Sequence, residues 1–321
     1  MSKILSLGSA LQDIYLIDHD DLEPTEIAGD ESVFGKITVG SKVDIDKLSF
    51  EVGGGGVNSA ISFARHGHEA VLMSNIARDS AGNAILRVLD HEGVDTSYID
   101  YVSHKATGTS VVLLNSHGGE RTILTYRGAS TKFDNFKVSD LDSVQPDFLY
   151  ITTLRGDMET LEKFLKKAHE TGAKVMFNPG TKELENSKKV LSLLKYVHIL
   201  LVNKQEASKL VPGSSLGELL YHLHNYAKFV IITDGPMGGI ATNGEETYRF
   251  GIYEDVKMKD ATGAGDAFGS GFLAGLASGK SFEKSLIFAS ANSTSVVTKI
   301  GANAGILNGK EKLHPMPIQK L

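Results

Sequence analysis

Asp260-Ala261-Thr262-Gly263-Ala264-Gly265-Asp266-Ala267-Phe268 runs directly into Gly269-Ser270-Gly271-Phe272-Leu273-Ala274-Gly275-Leu276. A polar, glycine-punctuated loop gives way to small and apolar residues, which predicts a helix packed closely on its neighbours. Glycines just ahead of a helix leave its first backbone N–H groups bare. With the positive end of the helix dipole, those groups make a site for an anion such as a phosphate. The carboxylate of Asp266, at the same turn, would lie beside that anion and can take a proton from an attacking hydroxyl. An anion hole next to a base is what phosphoryl transfer to an alcohol requires. The plainer reading of the same residues is a glycine turn with Asp266 as a helix cap.

Other constellations surround this one in the chain. Gly53-Gly54-Gly55-Gly56-Val57-Asn58 places four glycines before a helix, where the backbone can approach a ligand closely; Asn58 offers a donor and acceptors from the first turn. A flexible hinge is compatible with the same run. Asp13 follows the first apolar strand, and its carboxylate can accept hydrogen bonds from two neighbouring hydroxyls; a lone Asp there also reads as a turn residue. Asn203 and Glu206 stand three apart at a helix start, after the strand ending at Val202. They would share one face at the strand ends, where ligands gather in open α/β sheets, or form a capping pair. Asn178 lies at another strand end, and Thr233-Asp234-Gly235-Pro236-Met237-Gly238 allows a tight turn against a flat ligand.

Taken together these motifs resemble the PfkB, or ribokinase-like, carbohydrate kinases, from Leu5 to about Leu307. The resemblance implies an α/β fold: a central, mostly parallel sheet flanked by helices, with a small β-sheet lid over the sugar. It implies that Asp266 is the catalytic base, that Gly263, Ala264 and Gly265 form the anion hole, and that Asp13, Gly54, Gly55 and Asn58 bind the sugar. It assigns ATP to Asn178, Asn203, Glu206, Thr233, Gly235, Gly238 and Asn292, with Ala289 and Ser293 beside Asn292 on a helix flanking the adenine. Glu206 would hold Mg²⁺ through water. Asp260 and Thr262, with the loop from Lys299 to Gly305, resemble the potassium loops of several relatives, in which backbone carbonyls do most of the coordination.

The hydrophobic rhythm agrees with that fold. Apolar strands at Ile4–Leu7, Val71–Ser74, Phe148–Ile151, Lys174–Phe177, Ile199–Val202 and Phe229–Ile232 alternate with helical stretches, which argues for a parallel sheet covered on both faces. Alternation at Lys36–Val39 and Lys42–Ile45 predicts half-exposed strands, and Ser116-His117-Gly118-Gly119 between two apolar runs predicts a hairpin. The expected organisation is a large domain of residues 1–14, 52–105 and 129–321, with an inserted lid of 15–51 and 106–128. Exposed lid strands can pair between subunits, so a homodimer through the lid is an expected partner arrangement.

Composition narrows the function. The chain of 321 residues is 41% hydrophobic, enough for a large core, and its net charge of −6 with no basic block argues against nucleic acid. It has no cysteine, hence no disulfide framework or thiolate chemistry. No run approaches a membrane span, and Met1 to Gly8 enters a strand without a signal-peptide pattern, so a cytoplasmic enzyme without membrane partners is expected. Gly275–Ser281 departs from a P-loop in having alanine at 274.

The leading expectation is an ATP-dependent kinase of a small neutral, ribose- or fructose-like sugar. The alternatives are a nucleoside kinase, with Tyr15, Phe34 and Tyr126 clamping a base, and a sugar-acid kinase of the 2-keto-3-deoxygluconate type. In the latter, Arg127 and Arg155 would meet a carboxylate; both arginines also read as lid or surface salt bridges. A non-catalytic sugar sensor is a further alternative, which the intact Asp266 and its turn disfavour.

Overall fold

The computed structural model describes residues 1–17, 40, 42, 44–45, 47–114, 121–254 and 256–321, and the backbone of 24–26 and 33–35. Its strands are β1 (Lys3–Leu7), β2 (Leu11–Ile17), β3 (Pro24–Glu26), β4 (Val33–Gly35), β5 (Lys47–Gly53), β6 (Glu69–Ile76), β7 (Asp95–Tyr101), β8 (Gly108–Leu114), β9 (Arg121–Tyr126), β10 (Phe148–Ile151), β11 (Lys174–Phe177), β12 (Ile199–Asn203), β13 (Phe229–Thr233), β14 (Gly239–Thr242), β15 (Thr247–Phe250) and β16 (Ile318–Lys320). The helices are α1 (Gly55–Arg65), α2 (Ser80–His91), α3 (Asp140–Val144), α4 (Met158–Thr171), α5 (Thr181–Leu184), α6 (Ser187–Leu193), α7 (Lys204–Leu210), α8 (Leu216–His224), α9 (Ala264–Ala277) and α10 (Phe282–Val297).

A ten-stranded sheet runs in the order β16-β15-β14-β13-β12-β11-β10-β1-β6-β7. From β13 to β7 every pairing is parallel, while β14, β15 and β16 add an antiparallel edge. The strands are apolar on both faces because both are covered. Ile4, Leu72, Tyr150, Leu201 and Ile231 point into one core with α1, α9 and α10. Their neighbours Leu5, Val71, Leu149, Leu200 and Val230 point into the other, with α4, α6, α7 and α8. No helix among the described residues is long and apolar enough to cross a membrane.

A separate four-stranded sheet has the order β5-β2-β8-β9. Its inward side buries Tyr15, Ile17, Val112 and Leu114 against Ile300. The expected border between residues 14 and 15 falls inside β2, so Asp13 stands on the small sheet and not in a loop. β8 and β9 pair antiparallel as a hairpin requires; the expected turn at 116–119 lies outside the described residues. So does the alternation at 36–39, and so does Val43; Lys42, Asp44 and Ile45 are in no strand.

Helix α9 lies directly on the large sheet. It is rich in small residues because its axis is close to its neighbours: a Cβ added to Gly269 would stand 2.2 Å from the Tyr150 hydroxyl and 2.7 Å from Leu201 Cδ2. Gly269→Ala gains about 1 kcal/mol of helix propensity, but forcing a methyl into this contact costs about 1–3 kcal/mol. The expected net result in urea unfolding is a loss of up to about 2 kcal/mol; a variant more stable than the parent would show that the contact is not tight.

Candidate active site

Parallel strands deliver their following loops to one edge of the sheet. The register pairs Leu7 with Ile151, Ile151 with Phe177, Phe177 with Leu200, and Asn203 with Thr233. The residues that end or follow β1, β10, β11, β12 and β13 therefore stand side by side. These include Ser9, Thr152, Asn178, Asn203 and Thr233, and the small sheet begins at the same edge with Leu11.

Asp266 is at the centre of this arrangement. It lies in the first turn of α9, whose N-cap Gly263 has φ 79° and ψ 0° and receives no side-chain cap. A left-handed residue is needed there, and a Cβ on it would stand 2.5 Å from the Ala302 carbonyl oxygen, so only glycine fits. Gly265 is exposed and nothing lies within 4 Å of its Cβ position. The start of the helix thus opens on free space at Gly265, as anion binding requires, while the Ala264 N–H donates to the Ala261 carbonyl at 3.3 Å. Asp266 Oδ2 accepts a hydrogen bond from Asn58 Nδ2 at 2.8 Å. Burial raises its carboxyl above the usual range, with the Asn58 bond acting in the opposite direction; the net effect is a stronger base.

Asn58 differs from its expected place among sugar contacts. It is buried, and its amide is committed at both ends: to Asp266, and through Oδ1 to Asn303 Nδ2 at 3.3 Å. Asn303 Nδ2 also reaches the Val52 carbonyl at 2.7 Å, on β5. The glycines before Asn58 approach the protein's own loops. Gly54 has φ 94°, and its Cβ position lies 2.5 Å from the Ser9 carbonyl oxygen; that of Gly55 lies 2.9 Å from the Thr152 side chain.

Asp13 points inward from β2 and is only 5% exposed. Among the described residues no cation lies within ion-pair distance of it. Burial raises its pKa to about 6; a hydrogen bond from Ser110 pulls the other way, Asp260 adds to the rise, and Arg127 opposes it. Two residues along β2, the Tyr15 hydroxyl donates to Asp260 Oδ2 at 2.9 Å. Asp260 also accepts from Thr262 N (2.9 Å), Thr262 Oγ1 (2.6 Å) and Gly301 N (3.2 Å), and Arg121 Nε faces it at 3.7 Å. The side chains expected at a potassium site are therefore spent on each other and on the protein. They do not fit as ligands, because a carboxylate surrounded by donors and a guanidinium has no free lone pair directed at a cation.

Asn203 and Glu206 form a reciprocal cap on α7: Asn203 Oδ1 accepts from Glu206 N and Glu206 Oε2 accepts from Asn203 N, both at 2.9 Å. Glu206 keeps its other oxygen, and burial raises its pKa. Asn178 Nδ2 donates to the Leu201 carbonyl at 2.9 Å, which leaves its Oδ1. Thr233 is half-buried; Gly235 is exposed at φ 53° and Gly238 is buried at φ 75°. Asn292 departs from its expected place beside a nucleotide. It is fully buried, donating to the Ala267 carbonyl at 2.8 Å and accepting from Leu307 N at 2.9 Å, so it joins α9 and α10 to the chain beyond. Ala289 is likewise buried, and Ser293 Oγ is bonded to the Ala264 carbonyl.

One residue beside the site, Glu183, was not legible from the sequence. Glu183 is 0% exposed, and its carboxylate accepts from Thr153 Oγ1, Leu154 N, Gly156 N and Gly180 N at 2.8–2.9 Å. In Thr181-Lys182-Glu183 nothing separates it from a surface charge. It fixes the loop carrying Arg155, which sits at φ 60°, an unusual conformation for a residue with a Cβ. Arg127 follows β9 and is half-buried; burial and the nearby Arg155 lower its pKa while Asp13 raises it. Neither arginine makes the salt bridge expected of a lid or surface cation among the described residues.

A model of the pfkB family of carbohydrate kinases matches residues 1–308. The chain is 28% identical over 256 residues to the ribokinase of Bacillus subtilis, which covers 79% of this chain and 84% of the relative. It is 30% identical over 266 residues to the 5-dehydro-2-deoxygluconokinase of Shouchella clausii, covering 77% and 81%. Its fold is similar to the structure of Arabidopsis thaliana ribokinase complexed with ribose and ATP, with a TM-score of 0.79 at 24% identity over 96% of each chain.

Asp13 has a measurable cost. A carboxyl whose pKa rises from 3.8 to about 6 on folding keeps its proton in the native state at pH values where the unfolded chain has lost it. Its contribution to stability is thus present below pH 4 and is lost as pH rises to about 6. The span amounts to about 3 kcal/mol at 1.36 kcal/mol per unit. Asp13→Asn is expected to unfold like the parent at pH 4 and to be more stable by about 2–3 kcal/mol at pH 7. A stability difference that does not change between those pH values would remove the buried charge from the account.

Proposed function

The chain belongs to the pfkB family of carbohydrate kinases, and from that premise we propose that it transfers the γ-phosphoryl group of ATP to a hydroxyl of a small sugar, with Asp266 as the base. The observation that carries this reading is the Asn58-bonded Asp266 beside the uncapped start of α9. A hydroxyl held against Asp266 would give up its proton as its oxygen attacks. The N–H groups of the Gly263–Gly265 turn would take the charge on the transferring phosphoryl group. Asp13, ionised above about pH 6, supplies two acceptors for sugar hydroxyls from the small sheet.

The nucleotide's phosphates would lie along the strand ends, with Asn178, Asn203, Thr233, Gly235 and Gly238 as neighbours. Magnesium bound with the nucleotide would neutralise the charge on the transferring phosphoryl group. The remaining oxygens of Glu206 and Asn178 suit its water shell, since hard cations of this size keep several waters. Asp260 and Thr262 are left out of the metal chemistry. The small sheet serves as the cover that keeps water from the phosphoryl group. Its outer side exposes Leu48, Phe50 and Leu124 by 56–60%, an apolar strip that suits a second copy of the chain; sedimentation at rising concentration tests that pairing.

The nucleoside reading loses two of its three aromatic residues. Tyr15 is buried with its hydroxyl on Asp260, Tyr126 pairs with Thr109 on the outer side of the small sheet, and the Phe34 side chain lies outside the described residues.

Coupled ADP-release assays over pentoses, hexoses, sugar acids, sugar phosphates and nucleosides test the reading. Asp266→Asn is expected to lower kcat by about 10²–10⁴ with nucleotide affinity little changed; a near-normal kcat would exclude Asp266 as the base. Glu206→Gln is expected to raise the Mg²⁺ concentration needed for half-maximal rate. An unmoved magnesium titration would leave Glu206 as a helix cap alone.

A further inference from the structure

Tyr150, on β10, is fully buried beneath α9. Its ring packs edge-on against Phe63 of α1, with centroids 5.6 Å apart. Its hydroxyl presses on α9, 2.2 Å from where Gly269 would carry a Cβ, and Leu201 of β12 meets the same point at 2.7 Å. Glycine has a hydrogen in that direction, so the phenol oxygen rests on a weak Cα–H donor. The hydroxyl proton has no such provision: among the described residues nothing accepts it. Tyr15 shows the ordinary solution. It is buried as deeply, and its hydroxyl donates to Asp260 Oδ2 at 2.9 Å. A buried donor without an acceptor costs stability, and a phenylalanine ring would fill the same space without that cost. The fold alone therefore gains nothing from this oxygen.

The group that does gain is Asp266. Gly269 stands three residues after it on the same face of α9, and side-chain positions three apart on a helix are about 5–6 Å from each other. Burial and then the charge of Asp266, the one charge that acts on this phenol, push its pKa up. The hydroxyl thus stays neutral, and the favourable direction for the positive end of its O–H dipole is toward the carboxylate. Asp266 has no cation to balance it. Among the described residues α1 presents the Asn58 amide to it, α10 presents Ser293, whose hydroxyl is bonded to the Ala264 carbonyl, and no charged group acts on the carboxyl.

We propose that Tyr150 is a positioning residue for the base: its hydroxyl, directed at Asp266 from beneath α9, stabilises the ionised carboxylate in a core that offers it one direct donor, Asn58. Two neutral dipoles suit this task better than a cation. A lysine or arginine at the same place would hold the carboxylate charged but draw its basicity down, whereas a dipole steadies the charge and leaves the group able to take a proton. The proposal rests on the reading of Asp266 as the base and deepens it by naming the second group that tunes it.

The test follows the titration of Asp266 itself, by the ¹³C resonance of its carboxyl carbon in the full chain labelled at aspartate and assigned with Asp266→Asn. In Tyr150→Phe that carboxyl is expected to titrate about half a unit to one unit higher than in the parent. The urea midpoint of the same variant is expected to equal the parent's or exceed it, because the unpartnered donor is gone. With the best acceptor, the acid limb of kcat/KM should move up by the same interval while the plateau changes by less than about 3-fold. A merely structural hydroxyl would lower stability and leave the titration alone. An Asp266 titration that is unmoved or lowered in Tyr150→Phe therefore overturns the proposal, as does a variant less stable than the parent, which would give the hydroxyl a protein partner. If no acceptor is phosphorylated, the kinase reading falls, and the carboxyl titration decides this proposal on its own.

Discussion

The amide of Asn58 ties together the parts that must stay in register. Its Nδ2 holds Asp266 at the start of α9, and its Oδ1 receives Asn303, which in turn grips the Val52 carbonyl on the small sheet. Three segments far apart in sequence meet at one buried side chain. An aspartate in its place would set a second carboxylate against Asp266 with no donor between them. A leucine would leave Asp266 buried without its hydrogen bond, which costs more than the bond contributes in isolation. The carboxylate can stay half-buried, and therefore basic, only because one neutral donor is held against it.

Charge is distributed unevenly across the cleft, and the unevenness separates structural from functional groups. Asp260 and Glu183 are as buried as Asp13, but each accepts several hydrogen bonds. Such acids are part of the framework: one binds the turn before α9 to the small sheet, the other stiffens the loop after β10. Asp13 has a single hydroxyl partner, and Arg127 and Arg155 have none among the described residues. A folded protein does not gain stability by burying groups in that condition.

The parallel core was legible because both faces of each strand are covered. Phe148–Ile151, Ile199–Asn203 and Phe229–Thr233 are short apolar runs that no half-exposed strand would carry. β7 was not legible, since Asp95–Tyr101 is a polar edge strand with one fully buried residue. β2 was hidden for a different reason. Leu11, Asp13, Tyr15 and Ile17 face inward, but Ile14 and Leu16 on the other face are apolar too, which erases the period of two, and the inward Asp13 breaks it further. In the site, the Gly263–Asp266 turn could be read from residue types because its chemistry lies in the backbone and one acid. The role of Asn58 could not, since its partners are 208 and 245 residues away. Asn292 misled because a small polar residue on a helix looks alike whether it faces a ligand or a neighbouring backbone.

The small sheet meets the large one through polar contacts on both sides of Asp13. One runs from Val52 through Asn303 and Asn58 to Asp266; the other runs from Tyr15 through Asp260 to Thr262, immediately before Gly263. Lifting the small sheet away would have to break the Tyr15 bond and expose a ring that is now fully buried. Both routes end at the same four-residue turn, one at its base and one at its entrance. The geometry of that turn therefore depends on where the small sheet lies. The Gly263–Asp266 turn belongs to the large sheet by sequence, but chains of hydrogen bonds link it to the small one.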